Sequence, residues 1–168
     1  KVVITPDGES IVSAGSSTIL VWRLSDGTLL RTLTHEGGSV FAISSDGNTV
    51  VALSGAAIKV FSYSDGTLLR TFPVVGSGVE GHTQAIQDID ISPDGETVVT
   101  GSSDNTIKVW DAAISGEAVT LTGHSDYVLS IAFSPDSKRL VSGSVDGTLR
   151  VWNAATGTEV MALDNDNH

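Results

Sequence analysis

Short apolar segments rich in β-branched residues alternate with small polar residues along the whole chain. Runs such as Thr97–Thr100 and Ile107–Trp110 have the composition of β-strands. In Thr148–Trp152 polar and apolar residues alternate, as on a strand with one partly wet face. No stretch of about 11 residues keeps the 3.6-residue period of an amphipathic helix. The pattern therefore predicts an all-β protein.

The strand pattern is repeated four times. Each unit has a Ser/Thr-Pro-Asp-Gly turn, or a variant of it, followed by two strands of which the second ends in an aromatic residue. The turns begin at Thr5, Ser44, Ser92 and Ser134, and the closing aromatic residues are Trp22, Phe61, Trp110 and Trp152. An interval of about 40 residues that contains several strands indicates an array of β-propeller blades.

We predict four blades of four antiparallel strands, which together form a half-propeller arc. The tight turns between strands carry Asp-Gly and similar pairs, and the fourth unit has predicted strands at Val128–Ser134, Arg139–Ser142, Thr148–Asn153 and Glu159–Leu163. The blades of this single array, 1–168, are predicted at about 1–33, 34–72, 82–122 and 124–164. An insertion loop is predicted at 73–81, and the polar tail from Asp164 is predicted to be frayed.

The acidity of the chain limits the surfaces that it could bind. It has 9 Lys and Arg against 20 Asp and Glu, a formal net charge of −11 and a pI near 4.4. Nucleic acid requires a basic stripe, anionic membranes attract basic segments, and the basic residues here are dispersed. We therefore expect no nucleic-acid partner and no membrane partner.

The absence of cysteine excludes disulfides, thiolate metal ligands and cysteine nucleophiles. A reducing compartment is compatible with this composition. We expect an intracellular protein, cytoplasmic or nuclear.

The third and fourth units share a dense set of motif positions at identical spacings. The third has Gly81-His82, Ser92-Pro93-Asp94-Gly95, Thr100-Gly101-Ser102-Ser103-Asp104 and Trp110-Asp111, and the fourth has Gly123-His124, Ser134-Pro135-Asp136, Ser142-Gly143-Ser144-Val145-Asp146 and Trp152-Asn153. On these residues the chain resembles the WD-repeat (Trp-Asp repeat) β-propeller family. The resemblance extends over the whole chain but is degenerate in the first two units.

The resemblance implies a hydrogen-bonded chain inside each well-matched blade. In it a turn Asp holds a His, and a strand hydroxyl links that His to a Trp. Carried over by position, the chains are His82, Thr100, Asp104 and Trp110, and His124, Ser142, Asp146 and Trp152. Indole can only donate and a hydroxyl both donates and accepts, so the chemistry is consistent. Such a network stabilises only when every member is satisfied.

The first two units depart from this pattern. Ser16-Ser17 and Gly55-Ala56-Ala57 stand where the turn Asp should be, Ala52 replaces the hydroxyl residue and Phe61 replaces Trp. His35 lacks its preceding Gly, and the first unit has no upstream His. We expect these two blades to rely on apolar packing and to be the looser half.

Catalytic and metal-binding interpretations are weaker. The Ser-His-Asp set could indicate a hydrolase, but it occurs twice at identical spacing and nothing resembles a nucleophile elbow. The histidines have no second ligand three or four residues away, and six Asp-Gly pairs are explained by turn geometry. We predict no catalytic residue, no metal site, no cofactor and no enzymatic activity.

The family presents the rim of its central channel to partners, so the resemblance implies a non-catalytic scaffold for protein–protein interaction. The rim positions carried over from the family are Ala85, Gln87, Ser103, Tyr127, Leu129 and Val145. Tyr127 and Leu129 form the best candidate patch, because an aromatic beside an aliphatic residue suits an anchor pocket. The alternative is that these residues line a channel or pack on a neighbouring chain.

Four blades do not obviously make a closed ring, because the family that the chain resembles usually has seven or more. Ile19–Trp22 and Leu149–Trp152 make the outer units as apolar as the inner ones, and exposed faces of that kind mark an interface. A second possible function is therefore self-assembly, in which two chains close an eight-bladed homodimeric ring. Blades from a longer parent chain are the rival explanation. A propeller enzyme or lectin would need clustered carboxylates or aromatic platforms, and neither is evident.

Overall fold

The computed structural model describes residues 1–36, 38–73, 81–112 and 118–164. Within these ranges the chain forms four four-stranded antiparallel sheets and no helix, as the all-β prediction requires. Each sheet is a meander in which the strands follow chain order. The strands are β1 (Val2–Ile4), β2 (Ser10–Ala14), β3 (Thr18–Arg23), β4 (Leu29–Thr34), β5 (Phe41–Ile43), β6 (Thr49–Ser54), β7 (Ala57–Ser62), β8 (Leu68–Pro73), β9 (Ile86–Ile91), β10 (Thr97–Ser102), β11 (Ile107–Asp111), β12 (Ala118–Leu121), β13 (Val128–Phe133), β14 (Arg139–Ser144), β15 (Thr148–Asn153) and β16 (Glu159–Asp164).

The four sheets, here called blades 1 to 4, pack face to face in chain order. Three apolar clusters fill the spaces between them, and each cluster draws residues from two neighbouring blades. Representative pairs are Val12 with Phe41, Val51 with Ile89, and Val99 with Ile131. Burial of these β-branched and aromatic side chains is the main force that holds one blade on the next.

Each blade therefore has two distinct faces. We call the face that packs on the following blade the leading face; it carries Val12, Val51, Val99 and Val141 at equivalent positions. The opposite face, which packs on the preceding blade, is the trailing face; it carries Trp22, Phe61, Trp110 and Trp152. The alternation follows from the two-residue period of a strand.

The turn between the first two strands of each blade is held by a small set of hydrogen bonds. In blade 3, Ser92 Oγ donates to Asp94 Oδ1 at 2.5 Å, and Asp94 Oδ1 also accepts from Glu96 N at 3.0 Å. Gly95 occupies the left-handed region with φ of 75°. The proline of the motif takes no part in these bonds, which explains how Ser44-Ser45-Asp46-Gly47 makes the same turn without it.

The strand bounds of blade 4 differ slightly from those predicted. The second strand runs to Ser144 rather than Ser142, because Gly143 pairs with Leu149 and Ser144 pairs with Val128. The first strand ends at Phe133, and Asp164, predicted to begin a frayed tail, closes β16 opposite Thr148. Of the predicted insertion 73–81, residue 73 belongs to β8 and residues 74–80 lie outside the described ranges, as do 165–168.

Candidate functional site

The fourth blade holds a buried chain of four polar side chains. Trp152 Nε1 donates to Ser142 Oγ at 2.9 Å, and Ser142 Oγ lies 2.7 Å from His124 Nε2. His124 Nδ1 lies 2.9 Å from Asp146 Oδ2. Because an ionised carboxylate only accepts, the neutral imidazole carries its proton on Nδ1 and donates it to Asp146. Nε2 is then an acceptor, so the Ser142 hydroxyl donates to it and accepts from the indole.

The third blade repeats the arrangement with threonine in place of serine. Trp110 Nε1 donates to Thr100 Oγ1 at 2.9 Å, Thr100 Oγ1 lies 2.7 Å from His82 Nε2, and His82 Nδ1 lies 3.0 Å from Asp104 Oδ2. Thr100 and His82 are fully buried. The edge of each imidazole also meets the indole in a T-shaped contact.

The electrostatics favour an ionised aspartate in both blades and a neutral His82 in blade 3. Burial by itself would raise the pKa of the Asp104 carboxyl, but hydrogen bonds from Thr106 and from Thr83 N, together with His82, outweigh it and hold that pKa below its usual value. The pKa of Asp146 is lowered by the corresponding balance. Burial lowers the pKa of His82, and this effect outweighs the attraction of Asp104.

The geometry of Ser142, His124 and Asp146 has the distances of a catalytic triad, but its surroundings exclude that chemistry. The Ser142 hydroxyl is 0 % exposed, and Trp152 already occupies an acceptor site on its oxygen. A substrate carbonyl therefore has no path to the oxygen atom. Asp146 instead links the β14–β15 turn to the segment that enters the blade at His124 and Ser125.

The first two blades retain only fragments of this chain. In blade 1, Trp22 Nε1 donates to Ser13 Oγ at 3.1 Å, a bond that the sequence analysis missed although Ser13 lies opposite Leu20 at the position equivalent to Ser142. In blade 2, His35 is buried and its Nδ1 lies 3.2 Å from the carbonyl oxygen of Leu53. His35 Nε2 is buried and finds no hydrogen-bond partner within the described chain.

The six predicted rim positions differ in what they offer a partner. In blade 3, Ser103 is buried and its hydroxyl accepts from Gln87 Nε2 at 2.7 Å, while the exposed Ala85 borders a hollow of about 260 Å³ between blades 2 and 3. In blade 4 the three positions are apolar and open: Tyr127, Leu129 and Val145 are 46 %, 51 % and 51 % exposed. Val145 N donates to the carbonyl of Tyr127 at 2.9 Å, so these two residues lie side by side.

A pair of carboxylates that the sequence analysis did not single out links blade 3 to blade 4. Asp88 Oδ2 accepts from Ile131 N at 3.1 Å, and Asp90 Oδ2 accepts from Phe133 N at 2.8 Å. Both aspartates lie on β9 and both donors lie on β13, so the side chains satisfy the free backbone edge of the neighbouring inner strand. Lys1 Nζ reaches Asp88 Oδ1 at 3.4 Å.

Other kinds of site find no support in the described part of the chain. No group of three or more His, Asp and Glu side chains is placed to hold a metal ion among the residues that the structure describes. Within the same ranges, no helix has the length and apolar character needed to cross a bilayer.

Comparison with known proteins agrees with the blade geometry. The family model for the WD domain, G-beta repeat, matches residues 66–111 and 117–153. These two segments are WD repeats. Among curated proteins, the ribosome biogenesis protein BOP1 homologues of Drosophila grimshawi and Drosophila melanogaster are each 44% identical to it over 43 residues, and that of Drosophila ananassae is 42% identical over 43 residues. The match covers 25% of this chain but only 5–6% of each relative.

Proposed function

We propose that this chain is a non-catalytic scaffold that binds other proteins through the rim patch of blade 4, defined as Tyr127, Leu129 and Val145. The observation that carries the proposal is the exposure of these three apolar side chains, each about half accessible, at one end of blade 4. A large aromatic residue beside aliphatic ones is the composition of an interface hot spot. The match of two segments to the WD-repeat family supports a role in protein interaction.

The rim patch adjoins a depression that could receive an anchor residue. Leu129 lines a hollow of about 490 Å³ on blade 4, together with Leu149 and Leu163. An apolar side chain of a partner would be covered there on several sides. The net charge of −11 favours partner segments in which basic residues flank the apolar anchor, since opposite charge accelerates association.

A peptide-display selection tests this function. The immobilised chain is used to select peptides, and the affinity of each selected peptide is then measured for Tyr127→Ser and Val145→Ser. We expect binding at least about tenfold weaker in both variants, the loss typical of a truncated interface anchor. Leu68→Ser, an equally exposed position on the outer strand of blade 2, should leave affinity unchanged. Selected peptides that bind the two rim variants as tightly as the unaltered chain would contradict the proposal.

The relatives say little about the process that this scaffold serves. Their name refers to ribosome biogenesis, but the shared region is 43 residues long, about the length of one repeat. It therefore supports the repeat itself rather than a ribosomal role. We place the scaffold in the cytoplasm or nucleus, with which the name of those relatives is compatible. Imaging of a tagged chain tests that placement.

Self-assembly is a second candidate function, favoured by a specific observation. The trailing face of blade 1 and the leading face of blade 4 are both exposed and apolar, with Ile4 58 % and Leu149 49 % accessible. Two chains that cover each other's open faces would form a closed homodimer. Such a ring would cover Leu149 and Leu163 of the hollow, so a partner of the dimer would be bound through Tyr127 and Val145 without that hollow.

A further inference from the structure

The trailing face of blade 1 and the leading face of blade 4 are open. The equivalent faces of the other blades are each covered by a neighbouring blade. On blade 1 the open trailing face presents Val2, Ile4, Ile11 and Trp22. On blade 4 the open leading face presents Val141, Leu149, Val151 and Leu163. Because Val2 is 67 % and Val141 is 39 % exposed, blades 1 and 4 of a single chain do not cover each other.

The same positions are buried wherever a neighbouring blade is present. Trailing-face residues of blades 2 to 4 at the positions of Ile11 and Trp22 are Val50, Val98, Leu140, Phe61, Trp110 and Trp152, and none is more than 3 % exposed. Leading-face residues of blades 1 to 3 at the positions of Val141 and Leu149 are Val12, Val51, Val99, Ile19, Ile58 and Ile107, and none is more than 1 % exposed. The joint between a leading and a trailing face is thus formed three times in the structure, with apolar residues at the same positions each time.

The open faces lack features that would reject a fourth joint of this kind. Neither carries a charged side chain at the positions named above, so no ionised group would be desolvated by covering them. Each face is complementary in type to the other, since one is leading and the other is trailing. A second copy of this chain carries both of the faces that such joints use, whereas an unrelated protein would have to reproduce a blade surface.

We propose that the leading face of blade 4 in one copy packs on the trailing face of blade 1 in a second copy, and the reverse, which closes a two-chain ring. This inference rests on the second candidate function above and adds its contact faces and polarity. The contact is heterologous, and it stops at two copies only if the rotation closes. Eight blades lie within the range of about 4–8 found in propellers.

The contact between the two copies, here called the seam, lacks a feature that one inner joint has, the joint between blades 3 and 4. The positions of Asp88 and Asp90, whose carboxylates bind the backbone of β13, are Ser130 and Ala132 in blade 4. At the position of Asp90, blades 1 and 2 carry Val3 and Ala42, so the other two inner joints lack it too. Ala132 offers no acceptor to the β1 strand of the second copy. The seam therefore relies on apolar contact, and we infer a dimer that dissociates on dilution before the blades themselves unfold.

The test is the solution mass of matched variants, measured by sedimentation over a range of concentrations. Ile4→Glu blocks the trailing face of blade 1 and Leu149→Glu blocks the leading face of blade 4, and both positions are exposed in a single chain, so neither change threatens folding. We expect the unaltered chain at twice 17.4 kDa and each variant at 17.4 kDa. Leu68→Glu, the same exchange at a position of equal exposure on blade 2, should remain dimeric.

Mixing the two variants identifies the faces. A mixed pair has one unaltered seam, between blade 4 of the Ile4→Glu chain and blade 1 of the Leu149→Glu chain, so mass should return to the dimer value with weaker association than in the unaltered protein. Recovery also shows that both variants are folded. The proposal is overturned if the unaltered chain stays at 17.4 kDa up to about 100 μM, if Ile4→Glu remains dimeric, or if mass grows without limit.

Failure of the seam and failure of the scaffold function give different results. Peptides selected for the rim patch should still bind the Leu68→Glu and Ile4→Glu chains, whatever their mass. A chain that binds rim peptides as a monomer refutes the ring and keeps the scaffold. A dimer in which Tyr127→Ser changes no affinity keeps the ring and refutes the rim patch.

Discussion

Trp22 donates a hydrogen bond from its indole Nε1 to Ser13 Oγ, at 3.1 Å, on a face of blade 1 that no other blade of the described chain covers. The same bond joins Trp152 to Ser142 in blade 4, where His124 and Asp146 extend it. Blade 1 therefore keeps the Trp–hydroxyl pair but lacks the histidine and the aspartate that extend it in blade 4. That pair joins the two central strands directly, so it does not depend on the histidine and aspartate.

Removal of the turn aspartate should strongly destabilise a complete blade. Asp146→Ala leaves Ser125 N and the imidazole of His124 without their acceptor, and we expect a loss of about 2–4 kcal/mol in the free energy of unfolding, as for other broken buried networks. Asp136→Ala is the matched control, because Asp136 is exposed and binds only within its own turn. Urea unfolding of both variants measures the difference. A loss under about half a kcal/mol in Asp146→Ala would refute a stabilising role.

How far the sequence predicts the structure depends on where the partners of each residue lie. Strands and turns were predictable because they depend on nearby residues, such as Ser92 and Asp94. The positions of His124 and Asp146 were predictable from motif spacing. The bonds of Asp90 were not, since its partner Phe133 N lies 43 residues away in the next blade and is a backbone group that no side-chain pattern marks. The bond from Gln87 Nε2 to the buried Ser103 hydroxyl joins residues 16 apart, and no local pattern marks it either.

A hydroxyl restored in blade 2 should stabilise it. Ala52 is fully buried at the position equivalent to Thr100, and His35 Nε2 in the same blade is buried without a partner among the described residues. We expect Ala52→Ser to supply a donor to Nε2 and to raise the free energy of unfolding by about 1 kcal/mol. Ala42→Ser, at another buried alanine of the same blade, should instead destabilise the protein. Equal losses in the two variants would show that the introduced hydroxyl forms no bond with His35.

The turn of blade 4 carries a strained residue that glycine should relieve. Ser137 has φ of 59°, where the other three turns have Gly8, Gly47 and Gly95 with φ of 72°, 74° and 75°. A side chain in the left-handed region costs about 1 kcal/mol, so Ser137→Gly should stabilise the protein by about 0.5–1 kcal/mol. Gly8→Ser provides the reciprocal change, because a Cβ there meets no atom within 4 Å and only the backbone cost remains. Thermal melts should move in opposite directions for the two variants.

As pH falls, blade 3 should lose stability through His82 first and through its carboxylates only at lower pH. The pKa of His82 is below its ordinary value of 6.5 because the ring is buried, so the unfolded chain takes up a proton first and the free energy of unfolding decreases as pH falls through about 6.5 toward the folded pKa. The pKa of Asp104 is also lowered, and its contribution, present above 3.8, is lost at still lower pH. NMR titration of the assigned imidazole tests the first step. A midpoint above 6.5 would contradict it.

Replacement of Asp90 by a neutral acceptor should cost little stability. Its carboxylate accepts from Phe133 N at 2.8 Å, yet burial raises its pKa, and neighbouring Asp88 adds to this while Lys1 opposes it. A buried carboxyl with a raised folded pKa destabilises the folded state when it is ionised. This loss of stability is complete at neutral pH, and it disappears as pH falls toward 3.8, the pKa in the unfolded chain. Asp90→Asn removes the buried charge and keeps one oxygen for Phe133 N. Its amide nitrogen cannot accept the second bond, which Ile91 N donates to Asp90 Oδ1 at 2.9 Å.

We therefore expect Asp90→Asn to lose little stability at pH 7, and to lose more relative to the unaltered chain toward pH 4.5 as Asp90 itself becomes protonated. Asp90→Ala leaves Phe133 N without its acceptor and should lose about 1–3 kcal/mol at both pH values. Urea unfolding of the three proteins at the two pH values separates the contributions of charge and hydrogen bond. If Asp90→Asn loses as much as Asp90→Ala, the ionised carboxylate itself holds blade 3 to blade 4.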